Sequence, residues 1–457
     1  MSATATRPNI ILINCDDLGY GDLGCYGSKV NRTPALDRLA AEGVRFTNFY
    51  MASPICSPSR GAMMTGCYPR RIGFENFEGR GVLFPGQGVG LHQDEITVAE
   101  LLKQQGYATQ IVGKWHCGDQ PEFLPTRHGF DHYYGIPYSN DMGIQSGPDR
   151  GRPPLPLVRD EQLVQAQPDQ ANLIERYTEE CVRFIREKKD QPFFLYLAHM
   201  QVHLPLYAPQ RFVDNSRNGR YGACVEAVDW STSVLMYELD RLGLAENTIV
   251  MFTSDNGSRN RDEGGSNAPL RGHKAQTWEG GQRVPFIVRW PERIRAGAEC
   301  HGLASAIDLL PTLTNLAGGQ VPDDRTIDGV DLAPLLDDPS ADSPREVFFY
   351  YQYQRLEAVR CGHWKLFVSR RGEPVSELYD LQSDIGETTN LIERRADIAE
   401  ELMKHVQAMR ADIGDKFTGT EGANCRPLGR VENPTPITGR EEDYPYIIAE
   451  YDLPNCG

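Results

Sequence analysis

Asn9-Ile10-Ile11-Leu12-Ile13-Asn14-Cys15-Asp16-Asp17 is the stretch on which the fold turns. An apolar run without polar alternation suits a strand buried on both faces, and such a strand needs helices above and below it. The chain goes on in that rhythm. A helix is predicted over residues 33–43, with Leu36, Leu39 and Ala40 on one side and Gly43 as its stop. Residues 97–105, ended by Gly106, lead into a strand over 107–112. A helix over 171–188 precedes a strand over 192–198, and a helix over 222–242 precedes a strand over 248–252. Strands alternating with helices of this length imply an α/β fold whose large, mainly parallel sheet is covered by helices on both faces.

Past Pro344 the texture changes. Residues 346–353, 356–361, 365–369 and 377–381 are short strand candidates parted by turn residues, followed by a helix near 396–410. They predict a smaller C-terminal antiparallel sheet with one helix. At 457 residues the chain exceeds one small core. The expected division is a large α/β domain over 1–343, a small α+β subdomain over 344–413, and an extended tail over 414–457.

The net charge of −16, with no basic tract, argues against a nucleic-acid partner. The longest apolar runs are strand-sized, well short of the ~20 residues of a spanning helix, so no membrane partner is expected. The first residues, Met-Ser-Ala-Thr-Ala-Thr-Arg-Pro, lack the apolar core of a signal peptide. Eleven cysteines include no Cys-x-x-Cys spacing, and their odd number fits reduced thiols. Cys425 and Cys456 are candidates to pair. A cytoplasmic protein is expected, or a periplasmic or secreted one if a leader has been removed.

Four polar clusters fall at the carboxyl ends of predicted strands: Asp16-Asp17, Lys114-Trp115-His116, His199 with His203, and Asp255-Asn256-Gly257. Ligand sites of open α/β sheets form beyond those strand ends, so clusters distant in sequence can meet there. Alone, Asp16-Asp17 reads as a cap and Asp255-Asn256-Gly257 as a turn. Together they offer four oxygen-bearing side chains, the ligand set that Ca2+ or Mg2+ prefers. Adjacent carboxylates also need a neutralising cation.

Arg60, Lys114 and Lys274 come from three separate segments, and with a metal ion they would form a positive pocket for an oxyanion. Lys274 lies in Leu-Arg-Gly-His-Lys-Ala-Gln-Thr-Trp-Glu-Gly-Gly, residues 270–281. His116 and His203 can move protons near neutrality. His199 and His273 stand close enough to the motifs to support them, whereas His92, His132 and His363 read as bystanders.

Residues 56–66, Cys-Ser-Pro-Ser-Arg-Gly-Ala-Met-Met-Thr-Gly, open a short apolar helix. A cysteine two before a proline and four before an arginine resembles the sulfatase maturation signature. With residues 9–24, Gly113-Lys-Trp-His116, Gly135-Ile-Pro-Tyr-Ser139, Asp255-Asn-Gly257 and residues 274–281, the chain resembles the type I sulfatases of the alkaline phosphatase superfamily. As a whole it resembles their arylsulfatase A and N-acetylgalactosamine-6-sulfatase branch. The resemblance spans about residues 8–410.

That resemblance implies an alkaline-phosphatase-like fold and hydrolysis of a sulfate monoester on a small molecule or glycan. It implies Ca2+ on Asp16, Asp17, Asp255 and Asn256, and oxidation of Cys56 to formylglycine by a formylglycine-generating enzyme. The hydrated aldehyde would attack sulfur, with Arg60 and Lys114 orienting it. His203 and Lys274 would bind the ester and help the alcohol depart, and Ser139 would touch the sulfate. His116 would deprotonate the second hydroxyl, so that the sulfated intermediate collapses. The His-Leu-Pro sequence after Val202 could shift His203, and His273 stands where a smaller residue would be unremarkable.

Two other readings remain: a phosphonate or phosphate ester hydrolase of the same superfamily, and an inactive binder of sulfated glycans. Residues 73–93 and 140–170 are expected as loops at the pocket mouth. They would offer Phe74, Phe77, Arg80, Arg150, Arg152 and Arg159 to a sulfated sugar.

Overall fold

The Asn9–Cys15 strand is buried along its whole length and lies inside a ten-stranded sheet. In the computed structural model, which describes residues 7–144, 152–435 and 437, it pairs in parallel with Phe193–Ala198 on one side and Thr248–Ser254 on the other. Ala108–Lys114 and His132–Ile136 extend the parallel series. Beyond Thr248–Ser254 the sheet continues through Phe286–Arg289 and Val44–Phe46, each antiparallel to its inner neighbour, and ends at Ala298–Cys300.

Side chains alternate across this sheet, and both faces are covered. Ile10 and Leu12 enter one apolar layer with Met63, Met64, Leu101 and Leu102. Ile11 and Ile13 enter the other with Leu36, Leu39, Leu173 and Tyr177. The covering helices include Pro34–Ala41, Cys56–Thr65, Val98–Gln104, Leu173–Lys188 and Gly219–Leu242. The predicted helix and strand alternation is therefore present, each element within a few residues of its expected ends. No described helix is long and apolar enough to cross a membrane.

Register fixes where the chemistry can sit. Cys15 is level with Ser254, Asn14 and Gly113 are both level with Ala198, and Lys114 is level with Ile136. The residues that follow these positions leave the sheet along one edge. That edge is the crevice in which α/β ligand sites form.

One expectation fails here. Residues 140–170 are not simply a loop: Pro156–Arg159 and Gln162–Ala166 form a hairpin that completes the sheet's far edge. Its turn uses Asp160 at φ 55°, a left-handed conformation that Asp tolerates. Short strands interrupted by proline and charge carry a weak period-two signal, which is why the pattern reads as loop.

The second sheet is the antiparallel meander Val347–Gln352, Arg355–Cys361, Trp364–Arg370 and Glu373–Asp380. Leu402, Val406 and Met409 of the Ala396–Ile413 helix pack on its Leu356, Val359 and Leu366. Farther on, Gly429–Arg430 pairs with Val89–Gly90, and Arg426 Nε meets Glu95 Oε1 at 2.7 Å. The Cys425 thiol is free and donates to the Ile413 carbonyl; Cys456 lies outside the described residues.

Candidate active site

Each arm of the site leaves a strand end or helix start through a tight local turn. Asp17 and His116 adopt φ 62° and 61°, left-handed values that swing the chain sharply just past two strand ends. Gly113 allows the close strand approach before Lys114: at φ 110°, a Cβ there would stand 1.9 Å from the Ala198 carbonyl oxygen. Cys56 is the first residue of the Cys56–Thr65 helix, so its side chain lies at the positive end of the helix dipole. Gly66, left-handed at φ 68°, ends that helix.

The helix is clamped to the sheet by its own polar side chains. Ser59 Oγ donates to the Asp255 carbonyl, and Arg60 Nε donates to Asp255 Oδ2 at 2.8 Å. Arg60 Nη1 also donates to the Lys114 carbonyl at 2.9 Å, and its Nη2 stands 3.7 Å from Asp16 Oδ2. Lys114 Nζ donates to Asp16 Oδ2 and reaches Ser139 Oγ at 3.3 Å. Lys274 Nζ donates to Asp17 Oδ2 at 2.9 Å, and His203 Nε2 lies 3.8 Å from the same oxygen.

Asp16, Asp17, Asp255, Asn256, Cys56, Arg60, Lys114, His116, Ser139 and His203 are all buried. Ligand atoms of Asp16, Asp17, Cys56 and His203 lie within 4.8 Å of one another. Asn256 Nδ2 donates to Asp17 Oδ1 at 2.7 Å, which leaves its Oδ1 without a partner. Asp16 Oδ1 is likewise buried and unpartnered. Buried oxygens with unused lone pairs beside three carboxylates suit a hard cation.

Protonation follows from burial and neighbours. Burial alone would raise the Asp16 carboxyl, but Lys114, His203, Arg60 and Lys274 outweigh it and hold Asp16 well below the usual carboxylate range. Asp255 is pushed up to about 7 by burial and by the facing Asp16 charge, against the pull of Arg60 and Lys114. Burial opposes the charges of Lys114 and Lys274, yet Asp16 and Asp17 respectively keep them protonated with raised values. Burial pushes the Cys56 thiol up to about 12, so an unmodified thiol here stays protonated and is a poor nucleophile near neutrality.

The two histidines present different nitrogens. His116 Nε2 faces the Leu83 carbonyl at 3.0 Å; a carbonyl only accepts, so Nε2 carries the proton and Nδ1 keeps a lone pair. That Nδ1 is buried without a hydrogen-bond partner. Burial and the Lys114 charge hold His116 well below its ordinary value, so it is neutral near pH 7. His203 Nδ1 faces the Leu204 carbonyl at 2.5 Å, leaving Nε2 toward Asp17. Burial and Lys274 lower His203, and Asp17, Asp16 and Asp141 oppose them.

All eleven residues singled out from sequence thus gather at one edge, and the His-Leu-Pro turn leaves His203 in the cluster. His199 is buried beneath it with both ring nitrogens unpartnered, and His273 Nδ1 meets the Lys274 carbonyl at 2.9 Å. Three of the six expected rim residues lie elsewhere. Phe74 and Phe77 are core residues, because the bare face of Gly61 admits Phe74 against the helix. Arg159 pairs with Glu180 at 2.6 Å on the hairpin, and Arg150 lies outside the described residues. Asp141 was missed: it is buried beside Ser139 and, despite burial, is lowered by His203 and Lys114. Its only sequence signal is its place two residues after Ser139.

Known proteins share both the sequence and the shape. The family model described as Sulfatase matches residues 8–319, and one for the C-terminal region of N-sulphoglucosamine sulphohydrolase matches residues 273–412. Arylsulfatase A of Homo sapiens is 38% identical over 462 residues, covering 91% of this chain and 90% of that protein. N-acetylgalactosamine-6-sulfatase of Homo sapiens is 42% identical over 383 residues, covering 80% and 72%. The crystal structure of Ps i-CgsB in complex with k-i-k-neocarrahexaose superposes with a TM-score of 0.80 at 30% identity, covering 92% and 96%. With its alkaline-phosphatase-like sheet and this degree of likeness along most of its length, the chain belongs to the sulfatase family, enzymes that hydrolyse sulfuric esters.

Proposed function

We propose that the protein cleaves a sulfate monoester of a carbohydrate to an alcohol and inorganic sulfate, with Cys56 matured to formylglycine and Ca2+ held by Asp16, Asp17, Asp255 and Asn256. The observation that carries this reading is the meeting of Cys56 with Asp16, Asp17 and His203 within 4.8 Å, walled by Lys114 and Lys274. Charge supports it too. Arg60, Lys114 and Lys274 face Asp16, Asp17, Asp255 and Asp141, one negative charge in excess when all ionise. A dication converts that excess to a positive one, which an oxyanion needs.

Bound there, Ca2+ supplies a Lewis acid that draws charge from a sulfuryl oxygen, and hydrated formylglycine supplies a hydroxyl nucleophile with a second hydroxyl for release. The chain does the rest. Arg60 and Lys114, tied to Asp255 and Asp16, fix position 56 against the carboxylates. Lys274 and Ser139 offer fixed donors to non-bridging oxygens, where charge grows as the ester breaks. With Nδ1–H held by the Leu204 carbonyl, His203 Nε2 is the nitrogen turned toward the leaving alcohol, and it passes a proton there in the imidazolium form, which Asp17, Asp16 and Asp141 favour against burial and Lys274. His116 Nδ1 takes the proton of the second hydroxyl, which frees sulfate.

A peptide mass spectrum across residue 56, after co-expression with a formylglycine-generating enzyme, tests the nucleophile. Aldehyde at Cys56, with turnover of 4-nitrophenyl sulfate and sulfated saccharides that chelator abolishes and Ca2+ restores, is the expected result. Unmodified thiol with an active maturase overturns it. A phosphonate ester rate far above the sulfate rate would transfer the assignment to that chemistry.

A further inference from the structure

The reactive end of the site is built, but the rest of the substrate also needs a place. Leu83 lies against the cluster: its N–H donates to Ser57 Oγ at 3.1 Å and its carbonyl holds His116. Phe84, the next residue, is only half-buried. The Arg80 guanidinium stands 4.2 Å from the Phe84 ring centroid and the Arg152 guanidinium 5.3 Å from it. Arg152 Nη1 donates to the Asp141 carbonyl at 2.8 Å, so it too is anchored on a residue of the cluster. Two segments, each tied to the catalytic edge, thus bring two cations onto one ring.

Neither guanidinium is paired with a carboxylate: among the described residues none lies within 4 Å of either, although acidic residues outnumber basic ones 63 to 47. Arg70, Arg71, Arg159, Arg283 and Arg345 all hold carboxylates. Like charges gathered without a counter-ion are costly, and an anion lying across both removes that cost. Guanidinium groups bind carboxylate and sulfate through paired, charge-assisted hydrogen bonds, and the ring fixes their planes. The ring also keeps the Arg stems from folding away into solvent.

We propose that Arg80 and Arg152, carried on Phe84, form a subsite for a second oxyanion of the substrate, on the saccharide that bears the scissile sulfate. The preferred substrate is then a dianionic saccharide, carrying either a uronate carboxylate or a further sulfate besides the scissile one. This inference rests on the sulfatase reading.

The test compares matured wild type with the Arg80→Gln/Arg152→Gln double variant. The probes are monosulfated uronate–hexosamine disaccharides (4-O-, 6-O- and N-sulfated), their carboxyl-reduced counterparts, reduced counterparts carrying a second sulfate, and 4-nitrophenyl sulfate. Wild type should prefer a dianionic member over the reduced monosulfate by at least tenfold in kcat/KM, expressed mainly in KM. The double variant should lose that preference, with a loss on the dianionic member at least tenfold larger than on 4-nitrophenyl sulfate. Preference for the carboxylated or the disulfated member identifies which oxyanion the subsite takes.

The same comparison by calorimetry, in Cys56→Ala backgrounds, reads affinity without turnover. No dianion preference in wild type, or a preference that survives in the double variant, overturns the subsite. Absence of turnover on every sulfate ester, with dianion-dependent binding retained and lost in the double variant, sinks the enzymatic reading and leaves the subsite standing.

Discussion

His116 shows how a single backbone carbonyl can set a ring's tautomer, and with it the role we propose for that ring. The Leu83 carbonyl fixes which ring nitrogen carries the proton, and burial with Lys114 keeps the ring neutral, so a lone pair stands ready at Nδ1. Glutamine can keep the Leu83 hydrogen bond but has no basic nitrogen. His116→Gln is therefore expected to lower kcat by about 10²–10⁴-fold. If its proton transfer follows departure of the alcohol, stopped-flow with 4-nitrophenyl sulfate should show one equivalent of nitrophenol released rapidly before turnover stalls. A uniformly slow first turnover would place the histidine in the earlier step instead. In wild type the acidic limb of kcat assigned to His116 should fall below pH 6.5, since its folded value is depressed. A limb above that pH contradicts the assignment.

Among the elements, the Pro34–Ala41 helix depends on a residue from another helix for its start. Thr33 makes no side-chain cap; instead Asp229 Oδ1 and Oδ2 accept from the Leu36 and Ala35 N–H groups at 2.8 and 3.2 Å. Burial pushes the Asp229 carboxyl from 3.8 up to about 7, against those two hydrogen bonds. Between these values the folded chain holds a proton that the unfolded chain has released, so this group's contribution to stability falls as pH rises from about 4 to about 7. Asp229→Asn retains an acceptor and removes the titration, so wild type should lose stability relative to the variant over that window. Asp229→Ala should cost about 0.5–2 kcal/mol at pH 5. Thermal unfolding at pH 4.5 and 7.5 checks both; a wild-type-minus-Asn difference that does not change with pH contradicts the buried titration.

This contact also marks what the sequence can and cannot say about elements. Continuous apolar runs such as Asn9–Cys15 have one physical reading, and the parallel sheet follows from them. The site follows in turn, because strand ends in such a sheet must share an edge. The cap by Asp229 joins residues nearly two hundred positions apart, and no local period announces it. The hairpin at Pro156–Arg159 and Gln162–Ala166 was hidden by its polar texture. Phe74 and Phe77 were misread because a loop aromatic looks the same whether it faces solvent or fills the space beside Gly61.

Across the whole molecule, the antiparallel sheet braces the segment that carries Lys274. Gln352 Nε2 donates to the Ala275 carbonyl, next to Lys274. Deeper in, Lys365 Nζ binds the Thr277 carbonyl at 2.8 Å, Glu279 Oε1 at 3.0 Å and Glu387 Oε1 at 2.8 Å, all without solvent exposure. Burial works against the Glu279 charge, but Lys365, Arg283 and Arg360 hold it ionised, while burial pushes Glu387 up to about 7. Lys365→Met would leave two buried carboxylates facing each other without their shared cation. Breaking such a site from one side costs about 3–5 kcal/mol, and kcat/KM for 4-nitrophenyl sulfate should fall as the Lys274 segment loosens. The pH dependence gives the cause away. Without Lys365 the Glu387 carboxyl rises further above its unfolded value and Glu279 loses the first of the cations that hold it down, so the variant's stability must fall as pH rises through the Glu387 range, and its deficit against wild type should be smaller at pH 5 than at pH 8. Urea unfolding at both pH values measures this directly, and a deficit equal at the two would mean that lost packing, rather than uncompensated charge, is what the lysine prevents.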